Sequence, residues 1–221
     1  MQRERKEEIA QAEVVPLSSA LSHKPWDARL AHRLVYPLRD TRITPNHLTT
    51  LRLIFGLLAF AGFSAGGPLW SNLGAWCFVL SNFLDHADGE LARITGDSSR
   101  FGHYYDLLSD LLCTALLFVG IGIGLSTGEL GRIAVLMGVL AGVAVTLTFH
   151  MRHVIESEKG KAGTTQPHAA GFEAEDILYV VPLLTATGTL APFLILASIG
   201  APLFAGWVLK EFLAVRAWQR L

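Results

Sequence analysis

Charge is scarce in this chain: Asp, Glu, Lys and Arg make up only 17% of its 221 residues, against 51% hydrophobic residues. With a mean hydropathy of +0.41, that balance excludes an ordinary soluble domain and points to the bilayer as solvent. A basic patch interleaved with aromatics is also lacking, and the formal net charge is only −1. A nucleic-acid partner is therefore not expected. Cysteine is limited to Cys77 and Cys113, both inside apolar runs, where they read as small hydrophobes rather than as a disulfide or metal pair. The N-terminal MQRERKEEIAQAE lacks the apolar stretch of a secretory signal. Membrane insertion is then left to internal helices.

Apolar segments divided by short polar turns predict an all-α integral membrane bundle of six transmembrane helices, preceded by an interfacial amphipathic helix. Trp26, Leu30, Leu34 and Leu38 recur every four positions with Arg29 and Arg33 between them, the pattern of a helix lying on the membrane. Residues 1–43 form this juxtamembrane region with its tail, and residues 44–221 the membrane domain. Thr44 and Pro45 start the first span, which runs to about Ala65. Gly66-Gly67-Pro68 separates it from a second span that begins near Leu69 and continues past Asp85. The third span covers about Gly102 to Leu125 and the fourth about Arg132 to Val154. A polar loop from Glu156 to about Gly171 leads to two further helices, divided by Thr187-Gly188-Thr189, the fifth short and containing Pro182. With both termini inside, the outer turns contain only Arg132 of the 18 Lys and Arg. The positive-inside rule then places the termini and the turn between helices two and three on the cytoplasmic side.

That turn is flanked by acids. Asp85, Asp88, Gly89, Ala92 and Arg93 fall at i, i+3, i+4, i+7 and i+8, one face of a helix, and Gly102, Asp106 and Asp110 share a face of the next. Helices joined by a short turn are expected to be antiparallel neighbours, which directs four carboxylates at one another. Either some are protonated or a divalent cation lies among them, and oxygen donors suit Mg²⁺, Mn²⁺ or Ca²⁺ better than zinc. Capping or pairing with Arg93 and Arg100 would account for one or two of these acids. It does not account for Asp110, which is followed by LLCTALLFVGIGIGL and would be costly there without a function. A transporter using the acids as an ion path is the competing reading, but it predicts carboxylates spread across the membrane in repeated halves, and these are clustered.

The run Asp-x2-Asp-Gly-x2-Ala-Arg-x8-Gly-x3-Asp-x3-Asp, complete from Asp85 to Asp110, resembles the signature of the CDP-alcohol phosphotransferase family. Pro45-Asn46-x-Leu48-Thr49-x-x-Arg52 resembles the usual start of the family's first helix. The resemblance implies transfer of a phosphatidyl or similar phosphoryl group from a CDP-linked lipid, such as CDP-diacylglycerol, to an alcohol, with release of CMP. It also implies two Mg²⁺ or Mn²⁺ ions held by Asp85, Asp88, Asp106 and Asp110, with Asp110 acting as general base on the acceptor hydroxyl. Gly89, Ala92 and Gly102 become a cytidine pocket by the same resemblance, although on residue type alone they are ordinary helix-packing residues. Arg93 and Arg52 are candidates for phosphate. His103, three residues before Asp106, and Arg152 are candidate substrate contacts, while His86 points about 100° away from Asp85 and is not expected to be a ligand. His150, Arg152 and His153 end the fourth span, and Glu173, Glu175 and Asp176 begin the fifth. This mixture hints at a polyol or amine-bearing acceptor, with a phosphorylated one left open. The resemblance also implies a homodimer.

Overall fold

The computed structural model describes residues 26–97, 99–159 and 178–218. All regular structure among them is helical. The helices are α1 (Trp26–Val35), a 3-10 turn (Tyr36–Asp40), α2 (Pro45–Ala65), α3 (Gly67–Thr95), α4 (Arg100–Leu125), α5 (Ile133–Lys159), α6 (Val181–Ala186) and α7 (Leu190–Trp218). The expected tail of residues 1–25 and the acids Glu173, Glu175 and Asp176 lie outside the described residues.

The helix ends follow local chemistry. Pro45 opens α2, where its missing N–H has no cost, and His47 Nδ1 accepts the Thr44 backbone N–H at 3.0 Å. Gly66 and Gly67, at φ 70° and 75°, turn the chain from α2 into α3 through a conformation that side chains with a Cβ rarely adopt. Ser99 caps α4 by accepting the Gly102 N–H at 2.9 Å. A loop is expected from Glu156, but α5 continues to Lys159; polar residues there extend the helix as readily as they would leave it.

Among the described residues four helices are long and apolar enough to cross a membrane: Pro45–Ala65, Arg100–Leu125, Ile133–Ile155 and Leu190–Arg216. Helix α3 has 29 residues but is not in that set: its uncharged first part, 67–84, is made less apolar by Pro68, Ser71, Asn72, Ser81 and Asn82, and charged residues follow from Asp85. Large apolar side chains face outward, Leu196 and Leu203 being 72% exposed and Trp76 60%, a surface suited to lipid rather than to water.

Inside, Ala59, Phe63, Phe78, Leu117, Phe118 and Ile121 form the main core with Ala134, Ala141 and Leu194. Small residues let the backbones approach. A Cβ on Gly62 would lie 2.9 Å from Gly74 Cα, and one on Gly142 would lie 2.9 Å from the Ala115 carbonyl oxygen. Helix α2 packs along both α3 and α4, whereas α3 and α4 touch each other only briefly. The expectation that those two helices face each other directly is thus corrected: α2 is wedged between them. Helix α1 buries Ala31 and Val35 against Leu48, Ala87 and Leu91, while Leu30 and Leu34 stay exposed.

Candidate active site

The wedge sets the site. Because α2 lies between the two acidic helices, its Arg52 enters the space where the carboxylates converge. The Arg52 side chain is 2% exposed, and its Nη1 lies 2.5 Å from Asp85 Oδ1 and 3.0 Å from Asp106 Oδ1, while Nη2 lies 2.6 Å from Asp110 Oδ1. One guanidinium therefore joins three carboxylates from two helices. Its carbonyl accepts the Ser81 hydroxyl at 3.0 Å, which anchors the middle of α2 to α3. The fourth acid, Asp88, is buried and accepts the Thr49 hydroxyl at 2.7 Å.

The four Asp residues of the sequence motif are thus assembled at one place. Oxygens of Asp85, Asp88 and Asp106 lie within 4.8 Å of one another, close enough for a divalent cation to bridge them. When all four are ionised, the carboxylates exceed the Arg52 guanidinium by three negative charges, and such an all-oxygen, electron-rich set fits hard cations such as Mg²⁺ or Mn²⁺.

Two cavities flank the carboxylates. The first, about 190 Å³, is lined by Asp88, Gly89, Ala92, Gly102 and Asp106, together with Pro45, Asn46 and Thr49 from the start of α2. At Gly89 an added Cβ would meet only Arg93 Nη2, at 3.5 Å, so helix packing does not require a glycine there. At Gly102 an added Cβ would come within 2.9 Å of Asn46 Oδ1, so that glycine admits the asparagine. The second cavity, about 210 Å³, lies between α4 and α5 and is lined by Asp85, Asp106 and Asp110, with His103, Phe149, His150 and His153. Asp106 and His103 line both.

The remaining candidates are distributed differently. Arg93 is 65% exposed and pairs with the buried Glu90, whose other oxygen meets His32 of α1 at 3.2 Å. The guanidinium of Arg152 lies 5.2 Å from the centroid of the Phe204 ring and lines neither cavity. Sequence reasoning assigned no role to Thr49, Asn46 or Glu90. Thr49 and Asn46 belong to the motif that opens α2, and that motif was the available signal. Nothing in the sequence ties Glu90 to His32, 58 positions apart.

An acidic cluster able to hold divalent cations, with one cavity wall free of side-chain bulk and a second polar cavity beside it, makes this a candidate site for phosphoryl transfer. Residues 42–218 match the family model for CDP-alcohol phosphatidyltransferase, and the chain belongs to that family. With four apolar helices, it is an integral membrane protein. It is 35% identical over 92 residues to an archaetidylinositol phosphate synthase of Pyrococcus horikoshii, covering 42% of this chain and 47% of that protein. It is also 36% identical over 75 residues to a CDP-diacylglycerol–inositol 3-phosphatidyltransferase of Drosophila melanogaster, covering 34% and 32%. The match thus spans less than half the length of either relative. Among solved structures, the fold resembles the Mycobacterium tuberculosis phosphatidylinositol phosphate synthase crystallised with manganese and citrate. That similarity has a TM-score of 0.51 at 19% identity and covers 86% of this chain and 87% of the other.

Proposed function

We propose that this chain transfers a phosphatidyl group from a CDP-linked lipid such as CDP-diacylglycerol to an alcohol, releasing CMP. The observation that carries this reading is the carboxylate cluster standing between two cavities, one free of side-chain bulk and one polar. Asp85, Asp88 and Asp106, with Asp110 beside them, would hold Mg²⁺ or Mn²⁺. When bound, the cations neutralise the oxygens of the donor pyrophosphate and polarise the phosphorus under attack.

The protein's own groups do the rest. Gly89 and Ala92 leave one wall open for the nucleotide, and Gly89 is free of any packing demand for its small size. Thr49 orients Asp88 by donating to it. Arg93 at the rim, held by Glu90, is available to the donor phosphates. Asp110 borders the second cavity and takes the proton from the acceptor hydroxyl as its oxygen bonds to phosphorus and the bond to CMP breaks. Arg52 keeps Asp85, Asp106 and Asp110 from repelling one another.

In the same reading residues 44–221 form the catalytic domain and cross the membrane six times. Helix α3 would supply one span beyond the four apolar helices, and the expected short fifth helix, whose described part includes α6, the other. Helix α1 lies at the interface, with Leu30 and Leu34 toward lipid and Ala31 and Val35 toward α3. Both termini and the site are cytoplasmic by the Lys and Arg distribution, and the glycine-bearing faces permit a homodimer.

The test is CMP release by the purified chain given CDP-diacylglycerol, a panel of alcohols and Mg²⁺ or Mn²⁺. Release that depends on the alcohol and falls by at least about 10²-fold in Asp110→Asn is expected. Absence of CMP with every acceptor, or an unchanged rate in Asp110→Asn, overturns the reading.

A further inference from the structure

On the transferase reading above, the second cavity holds the acceptor, and its walls carry information about that acceptor which the motif does not. Apart from the carboxylates, its polar lining consists of three imidazoles: His103 from α4, and His150 and His153 from α5. The His103 and His153 rings stand 6.5 Å apart. His150 Nδ1 is buried with no hydrogen-bond partner among the described residues, a cost that a bound hydroxyl would relieve. Phe149 adds a flat apolar surface beside them.

No Lys or Arg belongs to this lining among the described residues. None of the nearby guanidiniums lines it: Arg52 is held by three carboxylates, Arg152 lies against the face of Phe204, and Arg93, paired with Glu90, serves the donor phosphates on that same reading. A phosphomonoester brings two negative charges and is normally held by a fork of guanidinium or ammonium donors. Here it would meet Asp85 and Asp110 instead. An uncharged hydroxyl both donates and accepts, and so does neutral imidazole, which offers one nitrogen for each. At about 210 Å³, or about seven waters at roughly 30 Å³ each, the cavity has the size of a small polyol head.

We infer that the acceptor is a small uncharged polyol, read by His103, His150 and His153, and that a phosphorylated acceptor is disfavoured. The test measures CMP release from CDP-diacylglycerol with myo-inositol, glycerol, myo-inositol phosphate, glycerol 3-phosphate and serine in parallel. The expected result is a kcat/KM for one of the two polyols at least about tenfold above every other class, equivalent to about 1.4 kcal/mol. In His150→Ala and His153→Ala the KM for that polyol rises while the KM for CDP-diacylglycerol stays constant, and His150→Asn, which keeps a donor and an acceptor, recovers part of the loss. Preference for a phosphorylated acceptor or for serine overturns the inference and leaves the transferase reading standing. A polyol KM unmoved in both alanine variants also overturns it. No CMP with any acceptor is the separate failure of the transferase reading.

Discussion

Replacing Arg52 by glutamine removes a positive charge buried against Asp85, Asp106 and Asp110 while keeping a hydrogen-bonding head. The guanidinium is 2% exposed and touches Asp85, Asp106 and Asp110 at 2.5, 3.0 and 2.6 Å, whereas those carboxylates are 27%, 42% and 35% exposed. Breaking a fully buried pair costs about 3–5 kcal/mol, and water reaching the carboxylates argues for the lower end, about 3 kcal/mol. For a chain of this size that corresponds to a Tm lower by roughly 6–12 °C. The sign reverses for cations. The excess negative charge rises from three to four, so a divalent ion gains affinity, and each tenfold gain returns about 1.4 kcal/mol to the folded state at saturation. Thermal unfolding of the detergent-solubilised protein, followed by fluorescence of its five tryptophans, reads both effects. With EDTA the variant melts lower than the parent, and with Mn²⁺ the gap narrows. Equal melting in EDTA would show that the guanidinium is not the counter-charge of the cluster. A gap that Mn²⁺ leaves unchanged would show that the cation does not compete for these carboxylates, and the charge argument would fail.

Two further outcomes follow from neighbouring contacts. Thr49→Val deletes the hydroxyl that donates to Asp88 at 2.7 Å and leaves a buried carboxylate without that donor; Mn²⁺ affinity, measured by calorimetric titration, should fall by roughly tenfold or more, and an unchanged affinity would exclude Asp88 from the cation site. Gly89→Ala should melt no lower than the parent, since alanine is favoured in a helix by up to about 1 kcal/mol and its Cβ would approach only Arg93 Nη2 at 3.5 Å. Its KM for CDP-diacylglycerol should nevertheless rise by about tenfold, and a donor titration with unchanged KM would remove Gly89 from the nucleotide wall.

Helical spacing was enough to collect Asp85, Asp88, Asp106 and Asp110, because carboxylates three and four positions apart share a face wherever the helix lies. It was enough as well to locate the helix ends at Pro45 and at Gly66-Gly67, where backbone constraints act locally. What stayed hidden was the third partner. That Arg52 comes to rest on three acids depends on α2 packing between α3 and α4, a long-range arrangement governed by small-residue contacts such as Gly62 on Gly74 and not by any pattern within one helix. The tie from His32 to Glu90 is hidden for the same reason. The exposed apolar stripe of α1 was legible in Leu30 and Leu34, but its protein-facing side consists of Ala31 and Val35, too small to stand out in a periodic count. Helix α5 outran its expected end because composition marks polarity, and a polar segment does not have to leave the helix.

Asp106 and His103 form a party wall: the chamber on one side is built from the start of α2, the end of α3 and the start of α4, and the chamber on the other from α4, α5 and Asp85 of α3. A substitution at Phe149, His150 or His153 therefore remodels one chamber and leaves the signature run from Asp85 to Asp110 intact. On the transferase reading, such a layout lets the acceptor side vary through α5 while the reaction machinery from Asp85 to Asp110 stays unchanged.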